Sequence, residues 1–293
     1  MVEFFQVLSS QSFLQTALTA GLLASLACGV IGTYVVAKRI SFISGGIAHA
    51  VLGGMGLAYF WNLNPLHGAL AAALCAALII GVISLRAEQH EDTIIGALWA
   101  IGMAAGILFI SRTPGYKVDL MSYLFGNIIM VTREDVYLIA GLDVVILVLV
   151  LLFYKQFLAV CFDEEFARLQ GVPVDFIYIL LLGLIAVTVV ILIQVVGIIL
   201  VIALLTLPAA IAQQYARNLA QMMILATVLG AVFVISGLAV SYGPDLPAGA
   251  TIIIISGTFY ILSMIFKALH VRVSSRLNHV NLKSNHNNNA ADL

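Results

Sequence analysis

The chain has 293 residues, of which 62% are hydrophobic and only 9% are charged. Soluble domains carry about 25% charged residues, so this composition excludes an ordinary soluble globular protein and indicates one embedded in a lipid bilayer. A net charge of −1 without a basic patch gives no indication of nucleic-acid binding. Three widely separated cysteines predict neither a disulfide framework nor a thiolate cluster: Cys28, Cys75 and Cys161.

Nine segments are long and apolar enough for transmembrane helices, which need about 20 mostly apolar residues. They lie near 13–36, 43–60, 66–85, 93–111, 135–154, 176–193, 195–212, 221–241 and 249–267. Only Gln194 and Gly197 part the sixth segment from the seventh, so eight spans remain an alternative. The sequence therefore predicts an all-α, polytopic transmembrane helical bundle over residues 1–271. The polar, Asn-rich residues 272–293 are predicted to be a disordered tail.

The positions of Lys and Arg predict the orientation, because these residues concentrate on the cytoplasmic side of short loops. With the N-terminus outside and nine spans, ten of the thirteen basic residues become cytoplasmic. They are Lys38, Arg39, Arg86, Lys155, Arg168, Arg217, Lys267, Arg272, Arg276 and Lys283. The C-terminus is then cytoplasmic. An apolar stretch at 120–125 in the largest outer loop is expected to form a short helix that either lies in the interface or dips back into the bundle.

His49 is the most unusual residue of the second segment, because ionisable groups at bilayer depth are costly and tend to face a cavity, a partner or a substrate path. Residues four apart stack on one helix face, so Gly45 and Gly53 flank the imidazole. We expect these small residues to let a neighbouring helix approach and to leave room around the ring. A structural hydrogen bond across the interface is the alternative interpretation.

The longest cytoplasmic loop, 155–175, contains a short helix by its pattern of start and stop signals. Acidic residues begin DEEFARL at Asp163, Arg168 lies near its end, and Gly171 precedes a proline. The chain contains no phosphate-binding loop and no other enzyme motif. It is therefore predicted not to be an enzyme, and any energy from ATP must come from a separate subunit, which could act on this helix.

Five stretches carry a resemblance to the permease subunits of metal-ion ATP-binding-cassette (ABC) importers, the family that takes up zinc, manganese and iron. They are SFISGGIAHAVLGG, VDLMSYLFGNIIMVTREDV, DEEFARLQGVPV, LLTLPAAIAQQYARN and PDLPAGATIIIISG. The resemblance runs from about residue 15 to residue 268, and zinc importer permeases are the relatives it suggests first.

The resemblance implies two permease copies in a bacterial or archaeal cytoplasmic membrane, a cytosolic ATP-binding subunit beneath them, and an extracytoplasmic metal-binding protein outside. It also implies that the helix Asp163–Leu169 docks on the ATPase. Contacts are expected from Glu164, Glu165, Phe166 and Arg168, with Gly171 closing the helix. The metal is expected as transported cargo, with no permanently bound cofactor.

His49 is the expected metal ligand, and Gly45, Gly53 and Asp143 are expected along the path. Family members commonly have aspartate where this chain has Gly45, so the site keeps an imidazole and loses a carboxylate. A neutral imidazole suits zinc better than manganese, so zinc is the favoured cargo. Two alternatives stay open: a permease for a metal chelate or cobalamin-like cargo, and an ion-coupled secondary transporter.

Overall fold

The computed structural model describes residues 11–86, 91–113, 126, 128–244 and 246–291, without the side chains at 91, 129, 194 and 270–291. These residues form eleven α-helices and one 3-10 helix, and no strand occurs among them. The expected short helix at 120–125 lies outside the described ranges. The all-α fold is therefore confirmed for the described part of the chain.

The helices follow one another with short connections. In chain order they are α1 (Ser12–Ala37), α2 (Ser41–Phe60), α3 (Pro65–Arg86), α4 (Glu91–Arg112), α5 (Arg133–Leu152), α6 (Tyr154–Phe162), α7 (Glu164–Leu169), α8 (Val174–Val196), α9 (Ile198–Tyr215), α10 (Leu219–Tyr242) and α11 (Ala248–Ala291), with the 3-10 turn Ile128–Met130 before α5.

Within the described ranges, nine of these helices are long and apolar enough to cross a membrane, namely all except α6 and α7. The predicted count of nine is thus supported over the alternative of eight. The break between α8 and α9 falls at Gly197, whose φ of 81° lies in the left-handed region that favours glycine. The predicted orientation of the termini stays a prediction.

Two groups of helices make up the bundle. The first is built around α1, which packs against α5, α9 and α10 and carries a long run of buried residues. The second is built around α2, which packs against α3 and α4. Helix α8 packs against α3 and, less extensively, against α9 and α1, so it lies between the groups.

The last helix continues in its backbone to Ala291, beyond the expected end of the membrane domain at residue 271. The part of this helix that is long and apolar enough to span a membrane ends at Leu269. The division into a membrane domain and a separate tail therefore stays a prediction.

Candidate functional site

His49 lies near the middle of α2 and is 9% exposed. Its Nδ1 atom is buried and has no hydrogen-bond partner. The hydrogen bond that a structural role would require is thus missing at this nitrogen. Nε2 is the other ring nitrogen and the one available to a ligand.

The imidazole stacks on the indole of Trp99 from α4. The two ring centroids are 4.0 Å apart and the ring planes differ by 13°. Phe42 lies farther from the same indole, with a centroid distance of 6.1 Å. The sequence singled out His49, but it gave no sign that an aromatic side chain fifty residues away would cover one face of its ring.

The expected room around His49 is occupied, so this part of the prediction is wrong. A Cβ atom at Gly45 would lie 3.2 Å from Cζ3 of Trp99, and one at Gly53 would lie 3.0 Å from the carbonyl oxygen of Gly102. The glycines allow α4 to approach α2, as expected for small-residue rows. With α4 this close, a ligand can approach the edge of the imidazole, and the glycines do not create a cavity beside the ring.

Asp143 lies on α5, in the other helix group from His49. It is 3% exposed, and neither carboxylate oxygen has a hydrogen-bond partner. Its helix packs against α1. The described contacts do not bring Asp143 to His49, and its assignment to the path stays a prediction.

Among the described residues, no group of three or more His, Cys, Asp or Glu side chains could hold a metal ion together. A site with few ligands from the described part of the chain suits a conduit, because an ion in transit must be released after it is captured.

Helix α7 has a defined start and a defined end. The Asp163 side chain accepts a hydrogen bond from the backbone N–H of Phe166 at 2.8 Å, which makes Asp163 the N-cap. At the other end, Gly171 has a φ of 79° and donates to the carbonyl of Arg168, while Val172 donates to Ala167. This is a Schellman motif, and it gives Gly171 the closing position that the sequence predicts.

An apolar stripe lies on the outer side of α6 and α7. It consists of Phe162, Phe166 and Leu169, which are 70%, 57% and 85% exposed. Glu165 beside it is also exposed. Exposed apolar patches of this kind mark interaction sites, so the stripe is available to a partner protein. The sequence identified Phe166 but missed Phe162 and Leu169. Leu169 lies three residues after Phe166 on the same helix, which was the signal, whereas Phe162 belongs to α6 and the extended residue Asp163 separates it from α7.

Two of the predicted docking residues are engaged within the chain. Glu164 forms an ion pair with Lys38, the residue that follows α1, and Arg168 pairs with Asp175 at the start of α8. These side chains already have partners within the chain. Their expected contacts with an ATPase stay predictions. The pair of Lys38 with Glu164 could not be read from the sequence, since 126 residues separate them.

Lys38 has three interactions at once. Its Nζ pairs with Glu164, donates to the carbonyl of Val160 at 3.1 Å, and lies 5.0 Å from the centroid of the Tyr178 ring. The Phe157 ring, which is buried, packs on Tyr34 of α1 with a centroid distance of 5.3 Å. The contacts of Lys38 and the packing of Phe157 on Tyr34 connect helices α6 and α7 to the end of α1.

Several relatives match this chain over most of its length. An uncharacterised membrane protein of Synechocystis is 49% identical over 267 residues, covering 91% of this chain and 95% of the relative. The manganese transport system membrane protein MntC of Halalkalibacterium halodurans is 36% identical over 263 residues, covering 90% of each protein. Among solved structures, PsaBC from Streptococcus pneumoniae in complex with Fab matches with a TM-score of 0.80 and 34% identity. That match covers 89% of this chain and 94% of the solved chain.

The family model described as "ABC 3 transport family" matches residues 10–267. This range includes α2 with His49, the capped helix α7, the first eight candidate spans and all but the last two residues of the ninth. The family predicted from the five sequence stretches is confirmed, and the fold is that of an ABC permease. The chain belongs to the ABC 3 transport family and is a multi-pass membrane protein of the bacterial cytoplasmic membrane.

Proposed function

We propose that this chain is the membrane-spanning subunit of an ABC importer that moves a divalent first-row metal ion into the cytoplasm. The observation that carries the proposal is the buried imidazole of His49, whose Nδ1 lacks a partner at the contact between α2 and α4. Buried imidazoles in membrane spans are expensive unless they serve a substrate path or an interhelical bond.

Two cargoes have specific support. Relatives at 34–36% identity are named as manganese transport proteins, which favours manganese. The site itself offers a neutral imidazole with no carboxylate at position 45, which favours zinc or another borderline ion. A secondary transporter is disfavoured by membership of an ABC family.

The partners follow from the same proposal. Without a phosphate-binding loop, the chain needs a cytosolic ATP-binding subunit, and the apolar stripe Phe162, Phe166 and Leu169 is the surface we assign to it. An extracytoplasmic metal-binding protein delivers the ion. A second copy of this chain completes a homodimer, which adds a second His49 to the path.

A measurement of metal uptake tests both the proposed function and the identity of the transported metal. The chain is expressed with its ATP-binding partner in a strain that lacks its own manganese and zinc importers, and accumulation of radioactive manganese and zinc is measured separately. We expect saturable uptake of one or both ions. A matched strain with an ATPase that cannot hydrolyse ATP should accumulate neither.

Each result has a distinct meaning. Manganese uptake that zinc competes for weakly supports the manganese assignment, and the reverse result supports zinc. Uptake of a metal only when it is supplied as an organic chelate contradicts the bare-ion proposal. Absence of ATP-dependent uptake of any metal species, with the complex present in the membrane, contradicts the proposed function.

The pair of Lys38 with Glu164 should matter for coupling. Lys38→Glu or Glu164→Lys alone brings like charges together in a partly buried site and should detach α7 from α1. We expect each single variant to hydrolyse ATP with little transport, and the double swap to recover much of the transported metal per ATP. The measurement is uptake and hydrolysis in reconstituted vesicles.

Arg39→Glu is the matched control, because it makes the same charge change at the adjacent, exposed position. It should leave the ratio of transport to hydrolysis unchanged. A double swap that couples no better than either single variant would show that the ion pair does not transmit force.

A further inference from the structure

His49 is oriented by an aromatic ring rather than by a hydrogen bond. A metal-binding imidazole almost always donates its second ring N–H to a carboxylate, a carbonyl or water, which fixes the orientation of the ring. Nδ1 of His49 has no such partner. The nearly parallel stack on Trp99, with 4.0 Å between centroids, is the contact that holds the ring instead.

The indole is itself held in place by the backbone of α4. Gly102 lies one turn after Trp99, and a Cβ there would be 2.6 Å from Cα of Ala50, the residue after His49. The two backbones are therefore in direct contact beside the stack. Trp99 cannot move away from His49 by a shift of α4 without breaking this contact.

Trp99 also determines which ligand can stand next to His49. A Cβ at Gly45 would already be 3.2 Å from Cζ3 of the indole, and an aspartate has three further heavy atoms beyond its Cβ. The Cβ alone would require the indole to shift by a few tenths of an ångström, and a carboxylate turned towards His49 would require a larger shift. Gly45 and Trp99 thus form a matched pair: the glycine makes room for the indole, and the indole excludes an anionic ligand.

We propose that Trp99 is a positioning and specificity-determining residue of the ion site, which holds the His49 imidazole for ligation and keeps an anion out of the place beside it. The inference rests on the proposed function, because it concerns how the ion is bound during transport. Its consequence is that the neutral character of the site depends on two residues together. Exchanging both should change the metal preference more than exchanging either one.

Uptake kinetics distinguish a role of Trp99 in positioning His49 from a role in helix packing alone. Loss of an outer-shell residue that orients a ligand typically weakens metal affinity by about tenfold or more. We expect Trp99→Ala to raise the KM for metal uptake by about tenfold at unchanged membrane abundance, whereas Trp99→Phe, which can still stack, retains most of the affinity. The control is Trp61→Ala, which removes the other tryptophan, 61% exposed at the end of α2.

The double variant tests specificity. Gly45→Asp alone should transport poorly, because the new side chain meets the indole. Gly45→Asp with Trp99→Ala should recover uptake and raise the ratio of manganese to zinc transport relative to the wild type, since a carboxylate favours the harder ion. An unchanged ratio in a double variant that transports would overturn the specificity role.

A spectroscopic measurement covers the case in which Trp99→Ala does not fold. This chain has two tryptophans, so Trp61→Phe leaves Trp99 as its single indole, and partner subunits without tryptophan keep the rest of the complex from emitting. In the complete transporter with this change, manganese or zinc should alter the emission of Trp99, and additional His49→Ala should abolish that response. A metal response of equal size without His49, or no response in a transporter that takes up metal, overturns the inference. If Trp61→Phe and the wild type both take up no metal, the proposed function itself is wrong.

Discussion

His49→Ala is expected to reduce metal uptake to background. The variant removes the imidazole and leaves Tyr59, near the end of α2, as the only ionisable side chain of this helix. Loss of a direct ligand exceeds the effect of an outer-shell change, so we expect a decrease of at least about a hundredfold in transport at low metal concentration. Uptake of radioactive metal at equal membrane abundance is the measurement.

The variant should insert and fold normally. It loses a ring stack, which contributes about 0.5–1.5 kcal/mol, while the glycine contacts between α2 and α4 remain. The control is His67→Ala, which removes an exposed histidine near the start of α3. Wild-type uptake in an abundant His49→Ala protein would show that the ion does not touch this residue.

Phe166→Ala is expected to release the ATP-binding subunit or to uncouple hydrolysis from transport. Phe166 is more than half exposed, yet its backbone is fixed by the Asp163 cap, so its ring is presented to a partner in a defined orientation. Aromatic anchors of this kind often contribute about 2 kcal/mol or more to an interface, which corresponds to about thirtyfold in affinity. Co-purification of the ATPase and its metal-stimulated hydrolysis are the measurements.

Phe176→Ala is the control for this prediction. Phe176 is 58% exposed, almost the same as Phe166, but it lies on the first turn of the membrane-spanning helix α8. Normal ATPase association and normal coupling in Phe166→Ala would mean that force enters elsewhere, and the segment at 86–92 would be the next place to test.

The elements of this fold could be predicted because each leaves a local signal. A membrane span is a run of about 20 apolar residues, a helix break follows a glycine such as Gly197, and the ends of α7 follow from Asp163 and Gly171. These signals depend on residues close together in sequence, so one sequence is enough to find them.

The contacts across the bundle could not be predicted in the same way. The partner of His49 is Trp99 and the partner of Glu164 is Lys38, and nothing in either segment specifies the other. The rows of small residues around His49 predicted close helix approach correctly. They did not indicate that α4 would fill the groove, because an empty groove and a packed one have the same sequence on one helix.

The backbone contacts of α2 have a consequence for how the transporter opens. Glycines bring α2 against α4 at Gly102 and against α3 at Gly68 so closely that no added methyl group would fit. Packed interfaces of this kind are bistable rather than continuously deformable, so small separations inside the three-helix group are unfavourable. We therefore expect the group to move as one rigid body that carries His49 with it, with sliding at its contacts with α8. There, a Cβ added at Gly81 would lie 3.2 Å from Cδ1 of Leu182 and 3.4 Å from Cγ1 of Ile179, so this glycine meets side chains rather than the backbone of α8.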